Sequence, residues 1–262
     1  MNNQIGVGPS TNAAALTVTL PVPYDLQKES ETAAWQVRSH TMVSFSRLAL
    51  NYRAAVFCEE ALVPGAFVEC GAWRGGSMGV MAAANQRHGG APRDLFLLDS
   101  FQDLCEPDEA IDGARAINEA RGWGRATGPL TGRLVPMQGF YDGMGGRGTV
   151  DDCRALLLGD LGYPAERVHI VEGWFQETIP LCKAQIGPIA ILRLDADYYA
   201  STKFCLDELY EQVVPGGFVI FDDYGTYEGC RQAVDEFRAH LADKPFQHHI
   251  DADGRYWVKH PR

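Results

Sequence analysis

The chain has no cysteines in CxxC spacing. Its seven cysteines (Cys58, Cys70, Cys105, Cys153, Cys182, Cys205 and Cys230) are odd in number and scattered. That pattern indicates neither a disulfide framework nor a cysteine-based zinc site. None of the seven histidines stands in an H-E-x-x-H pair, so a zinc-protease helix is excluded. Positive charge is also scarce: 23 Lys and Arg against 34 Asp and Glu give a net charge of −11. An acidic chain is a poor partner for nucleic acid or an anionic membrane. No apolar run approaches the roughly 20 residues of a transmembrane helix. The N-terminus lacks a basic stretch followed by an apolar core, so no signal peptide is expected. Unpaired cysteines fit a reducing cytoplasm.

What remains is ordinary globular composition: 262 residues, 46% hydrophobic and 22% charged, enough for a sizeable core. Residues 1–27 are small, polar and Pro-containing, and are expected to form a flexible arm ahead of one domain over 28–262. Residues 28–64 carry apolar positions at helical spacing with a break near Ser39–Thr41, and read as a helical lid. From Phe67 on, the pattern becomes strand, Gly-rich turn, helix, strand. Residues 101–165 form a long insertion with no clear strand, and loops of that length are usually functional. Arg167–Glu172, Ile189–Asp195 and Phe218–Asp222 read as further strands. Short helices are expected over Thr178–Ala184, Thr202–Val213 and Glu228–Ala242, with a turn at Pro215-Gly216-Gly217. A hairpin around Asp253-Gly254 closes the chain. The fold class is therefore α/β, mostly parallel, ending in an antiparallel pair.

Two of the apolar runs end in acids: Asp195 and Asp197 after one, Asp222 and Asp223 after the other. Buried parallel strands deliver such residues to the carboxyl edge of the sheet, where ligands bind. Four carboxylates there repel one another unless a cation intervenes, and oxygen ligands suit a hard divalent ion such as Mg²⁺. Helix N-caps would explain one Asp per strand end, but not two on each of two strands. On a regular strand the D-x-D spacing puts Asp195 and Asp197 on one face.

The turn Glu69-Cys70-Gly71-Ala72-Trp73-Arg74-Gly75-Gly76 is the second chemical feature. Its glycines leave room for a ligand near the backbone. Bulky Trp73 and Arg74 would crowd a pyrophosphate. An acid at the strand end suits a cationic cofactor such as S-adenosylmethionine, and Asp99 on the next strand is placed to accept from ribose hydroxyls. Trp174 could stack on a cofactor base, while Phe175 reads as core. The sequence is not read as a hydrolase.

Six motifs then occur in one order: H-T-M (His40–Met42), V-E-C-G-A-W-R-G-G (Val68–Gly76), L-L-D-S-F (Leu97–Phe101), V-E-G-W-F (Val171–Phe175), L-R-L-D-A-D (Leu192–Asp197) and P-G-G-F-V-I-F-D-D-Y (Pro215–Tyr224). Together they resemble the macrocin O-methyltransferase (TylF/MycF) family over about Arg38–Val258. The resemblance implies a class I, Rossmann-like seven-stranded sheet and Mg²⁺-dependent methyl transfer from S-adenosylmethionine. The implied acceptor is a deoxysugar hydroxyl on a glycosylated natural product. It implies Asp195, Asp222 and Asp223 as metal ligands and Asp197 as the base. It places Thr41, Met42, Glu69, Gly71, Asp99, Ser100, Phe101 and Trp174 around the cofactor, and implies a homo-oligomer. The nearest alternative is a metal-dependent O-methyltransferase acting on a catechol or another vicinal diol. A metal-dependent hydroxylase and a non-catalytic cofactor binder are more distant.

Overall fold

The computed structural model describes residues 24–260. Five strands run parallel: β1 (Ala66–Cys70), β2 (Leu95–Asp99), β3 (Val168–Glu172), β4 (Ile189–Leu194) and β5 (Val213–Phe221). β6 (His248–His249) and β7 (Arg255–Val258) form the closing hairpin, with β7 antiparallel to β5. The order is β3-β2-β1-β4-β5-β7-β6, the seven-stranded, mostly parallel sheet expected above. The chain moves outward from β1 through β2 to β3, then resumes on the other side at β4. That reversal opens a crevice beyond the C-terminal ends of β1 and β4.

The helices are α1 (Tyr24–Gln36), α2 (Phe45–Glu60), α3 (Gly76–His88), α4 (Gly113–Gly122), α5 (Val150–Arg154), α6 (Phe175–Ile186), α7 (Tyr199–Leu209) and α8 (Glu228–His240). Alternate strand residues feed two cores. Phe67, Ile191 and Ile220 pack with α1, α2 and α3. Val68, Leu192 and Val219 pack with α6, α7 and α8. Strands covered on both faces need no polar side, so β1 and β4 are buried throughout, and their sequences are nearly unbroken apolar runs.

Several boundaries differ from the sequence reading. The break near Ser39 is a 3-10 turn, Arg38–His40. Residues 1–23 of the expected arm lie outside the described residues, and Tyr24 already opens α1, so residues 24–27 are helical. The Pro215-Gly216-Gly217 segment is not a turn ahead of the strand. β5 starts at Val213, and the register jumps from Ile189↔Val213 to Ile191↔Phe218. The extra residues bulge out there, with Gly216 at φ +83°, a geometry that glycine adopts without cost. α6 begins three residues earlier than expected, because Trp174 has extended backbone and serves as its N-cap. Thr149 starts α5 through a capping box with Asp152, which satisfies two otherwise orphan backbone donors.

The insertion carries a small core of its own: Ala120, Leu130, Met137 and Phe140. Isolated bridges Cys105↔Pro136 and Asp108↔Thr131 hold its ends together. All seven cysteines are free and buried. Among the described residues, no helix is long and apolar enough to cross a membrane.

Candidate active site

The strand exits stay in the hydrogen-bond ladder beyond the last assigned residue. Gly71 N–H donates to Leu98 O at 2.8 Å, Asp195 N–H to Cys70 O at 2.8 Å, and Asp222 N–H to Leu194 O at 2.9 Å. The acidic tips are therefore fixed by the sheet itself. Gly71 is required there: a Cβ at this position would lie 1.9 Å from the Asp195 carbonyl oxygen. A Cβ on Gly76 would lie 2.5 Å from His40 O. These glycines, expected to admit a ligand, make room first for protein backbone.

Asp195, Asp197 and Asp223 each contribute a carboxylate oxygen to a group lying within 4.8 Å of one another. Strand alternation does not produce this meeting, because β4 ends at Leu194 and Asp197 sits at φ +57°. The left-handed backbone swings the Asp197 side chain round, and Asp is one of the few non-glycine residues enriched there. Its N–H donates to Asp223 Oδ2 at 3.3 Å. Burial, reinforced by the neighbouring carboxylates, pushes the Asp197 and Asp223 carboxyls well above the usual range.

Asp222 is placed differently from its expected partners. Its Oδ1 accepts from Arg193 Nη2 at 2.5 Å, and its Oδ2 accepts from Arg47. Burial raises its carboxyl to about 6, with Asp195 adding to the shift and Arg193 and Arg47 opposing it. Arg193 is fully buried in β4, in register with Glu69 of β1. Its Nη1 donates to Glu69 Oε1 at 2.9 Å and to Asp195 Oδ2 at 3.0 Å. Three carboxylates from three neighbouring strand ends thus share one guanidinium, whose planar fork suits such pairing. Arg47 also donates from Nε to Asp251 at 3.0 Å, tying α2 to the turn between β6 and β7.

At the end of β2, Asp99 Oδ2 accepts from the N–H groups of Ala72 and Trp73, both at 2.8 Å, and Oδ1 from Phe101 N–H at 2.7 Å. Asp99 therefore organises the Gly-rich turn, and any ribose contact uses its remaining lone pairs. Trp73 and Phe101, at φ +49° and +51°, join Asp197 as strained residues around one cavity. Strain of this kind collects at functional sites.

The cavity measures about 360 Å³ and is lined by ten of the expected site residues: Met42, Gly71, Asp99, Ser100, Phe101, Trp174, Asp195, Asp197, Asp222 and Asp223. Two others stand behind its wall. Thr41 is buried, with its hydroxyl accepting from Val43 N–H. Glu69 is buried and held by Arg193; burial raises its carboxyl to about 8, and its Oε2 has no hydrogen-bond partner among the described residues. Phe175, read as core, also reaches the cavity.

Residues that sequence reasoning missed complete the wall: Arg47 from α2, Arg115, Glu119, Trp123 and Tyr141 from the insertion, and Tyr227 before α8. Arg193 had a usable signal, since it is a charge inside the apolar run Ile189–Leu194. The insertion residues had none, because nothing in a loop's spacing says which side chains turn inward. Two motif spellings carry no chemistry here. Gly75-Gly76-Ser77-Met78-Gly79 spells a hydrolase elbow, but Ser77 is buried without a hydrogen-bond partner. Gly143–Gly148 spells G-x-G-x-x-G but begins inside a 3-10 turn, Asp142–Met144, and not after a strand.

The sequence pattern described as macrocin O-methyltransferase (TylF) matches residues 9–122 and 158–259. A tetracenomycin relative from Streptomyces olivaceus, 8-demethyl-8-(2,3-dimethoxy-alpha-L-rhamnosyl)-tetracenomycin-C 4'-O-methyltransferase, is 33% identical over 227 residues, 85% of this chain and 77% of that protein. Demethyldecarbamoylnovobiocin O-methyltransferase from Streptomyces niveus is 34% identical, covering 90% of this chain and 82% of that one. The solved structure of the O-methyltransferase NovP superposes with a TM-score of 0.70 at 27% identity, over 90% of this chain and 98% of that chain.

Proposed function

The chain belongs to the macrocin O-methyltransferase (TylF) family and is an S-adenosylmethionine-dependent O-methyltransferase; from that premise we propose that it methylates a deoxysugar hydroxyl of a glycosylated natural product with Mg²⁺ bound. The observation that carries this reading is the meeting of Asp195, Asp197 and Asp223 in the wall of the cavity that the Gly-rich turn also lines. The fit to a divalent ion is chemical. The donors are hard carboxylate oxygens, they are close together, and with Asp223 buried and Asp195 and Asp197 only partly exposed, water screens their mutual repulsion incompletely. The tetracenomycin relative, by its name, acts on a rhamnosyl compound, which supports a sugar acceptor over a catechol.

Asp195, Asp222 and Asp223 are the residues we assign to the metal, with Arg193 fixing Asp222 from inside the sheet. A bound divalent ion supplies Lewis acidity and orientation to a sugar hydroxyl. S-adenosylmethionine supplies the electrophilic methyl group, with Asp99 and the Gly-rich turn positioning it. Asp197 would take the proton of the acceptor hydroxyl as the methyl group passed from the donor's sulfur to that oxygen. Holding the reacting atoms in line supplies much of the rate. The convergence of Asp195, Asp197 and Asp223 favours a second ligand set in which Asp197 binds the ion and Asp222 does not. Titrating Mn²⁺ into Asp222→Asn and Asp197→Asn separates the two, since metal affinity falls in the variant that removes a ligand.

Methylation of rhamnosides is expected to stop in a chelator and return with Mg²⁺, and catechols are expected to be poor acceptors. Full turnover in the chelator would overturn the metal role, and catechol preference would overturn the sugar. Asp99→Ala is expected to weaken S-adenosylhomocysteine binding on the order of tenfold, since a charged acceptor is lost. Calorimetry showing unchanged affinity would remove Asp99 from the cofactor site.

A further inference from the structure

We propose that Glu119 selects the acceptor: its carboxylate accepts a hydrogen bond from a sugar hydroxyl other than the one that is methylated. This rests on the sugar reading above and names the side chain that enforces it.

Glu119 lines the same cavity as Asp197, and its charge is one of those felt by the Asp197 carboxyl. Both of its oxygens are tethered. Tyr227 OH donates to Oε2 at 2.6 Å and Arg115 Nε to Oε1 at 2.9 Å. A carboxylate has about four acceptor positions, so lone pairs remain for a ligand. The Tyr227 N–H donates to Asp223 O at 3.0 Å, which joins this carboxylate to the acid cluster through one residue. The Tyr227 ring is fixed in turn by an edge contact with Tyr198, beside Asp197, at 5.3 Å between centroids.

The helix that carries Glu119 is also anchored. At its start, Asp112 Oδ1 accepts from Tyr199 N–H at 2.8 Å and Oδ2 from Asp108 N–H at 2.7 Å. A Cβ on Gly229 would lie 2.0 Å from Asp112 Oδ1, so α4 is seated directly against the start of α8. Glu119 is thus a pre-oriented charged acceptor on a rigid element facing the acid cluster. The neighbouring wall, Trp123 and Phe140, is aromatic. It can stack on a sugar ring but cannot tell one hydroxyl from another. A site built to hydrogen-bond a hydroxyl disfavours the analogue that lacks it, because a lone pair of this partly buried carboxylate then goes without its donor.

The test is a grid of p-nitrophenyl α-L-rhamnoside and its three monodeoxy analogues against the parent enzyme, Glu119→Gln and Glu119→Ala, with Mg²⁺ present. Two of the analogues keep the hydroxyl that is methylated, and one of those two lacks the hydroxyl that Glu119 would bind. In the parent, its kcat/KM is expected to fall roughly 10- to 100-fold below the rhamnoside, as for a charged hydrogen bond. In Glu119→Ala that gap is expected to shrink to within about threefold, mainly through a raised KM for the rhamnoside, with S-adenosylhomocysteine affinity unchanged. Glu119→Gln preserves packing and is expected to lie between. The same gap in all three enzymes overturns the proposal while leaving the sugar reading intact. A parent that methylates none of the glycosides overturns both.

Discussion

Asp197→Asn is expected to lower kcat about 10²- to 10⁴-fold, the usual contribution of a positioned general base. The amide keeps the size of the carboxylate but cannot take the hydroxyl proton. The fold should tolerate it, because Asn, like Asp, is enriched in the left-handed region that residue 197 occupies at φ +57°. A β-branched residue at 197 would confound the result with backbone strain. Calorimetry with S-adenosylhomocysteine should give an affinity within about twofold of the parent, so the loss would lie in the chemical step. A variant turning over within threefold of the parent would remove Asp197 from proton transfer. A parallel collapse of Mn²⁺ affinity would instead make it a ligand.

Arg193→Met is expected to be the most destabilising single change at the site. The guanidinium is fully buried and holds Glu69, Asp195 and Asp222. Removing it takes the counter-charge from Asp195 and the donor from Glu69 and leaves Asp222 with Arg47 alone, and losing a buried partner costs about 3–5 kcal/mol. For a chain of this size that is a fall in Tm on the order of 10 °C. Adding Asp195→Asn should recover part of the loss, because the side chain that has lost its charged partner is then neutral, and recovery of this kind marks coupling. Lysine is no substitute, since a single ammonium cannot present the two arms that reach Glu69 and Asp222. An Arg193→Met protein melting within 2 °C of the parent would show that the carboxylates find relief elsewhere.

The sheet and its order of elements were readable because β1, β2, β4 and β5 are covered on both faces and write themselves as apolar runs. The acids at their tips were readable for the same reason: a charge directly after a buried run has to emerge at the edge. How those acids pair was not. Asp197 reaches Asp195 through a left-handed residue, and strand alternation has no way to anticipate that step. Asp222 is drawn toward Arg47, which lies 175 residues earlier in the chain. Arg193 was visible as an anomaly within its strand, but its role depends on the cross-strand register with Glu69. The wall from the insertion was the least legible, because Glu119 and Tyr227 meet through a hydrogen bond between segments 108 residues apart.

The insertion is fastened to the sheet layers at two studs. Asp112 grips the starts of α7 and α8, and Gly148 lies so close to Trp73 that a Cβ there would sit 2.0 Å from its carbonyl oxygen. Anyone grafting a foreign loop to change what this enzyme decorates should cut between those studs. A splice outside them would disturb the Gly-rich turn along with it, so the part of the cavity that we assign to the methyl donor would change together with the acceptor wall.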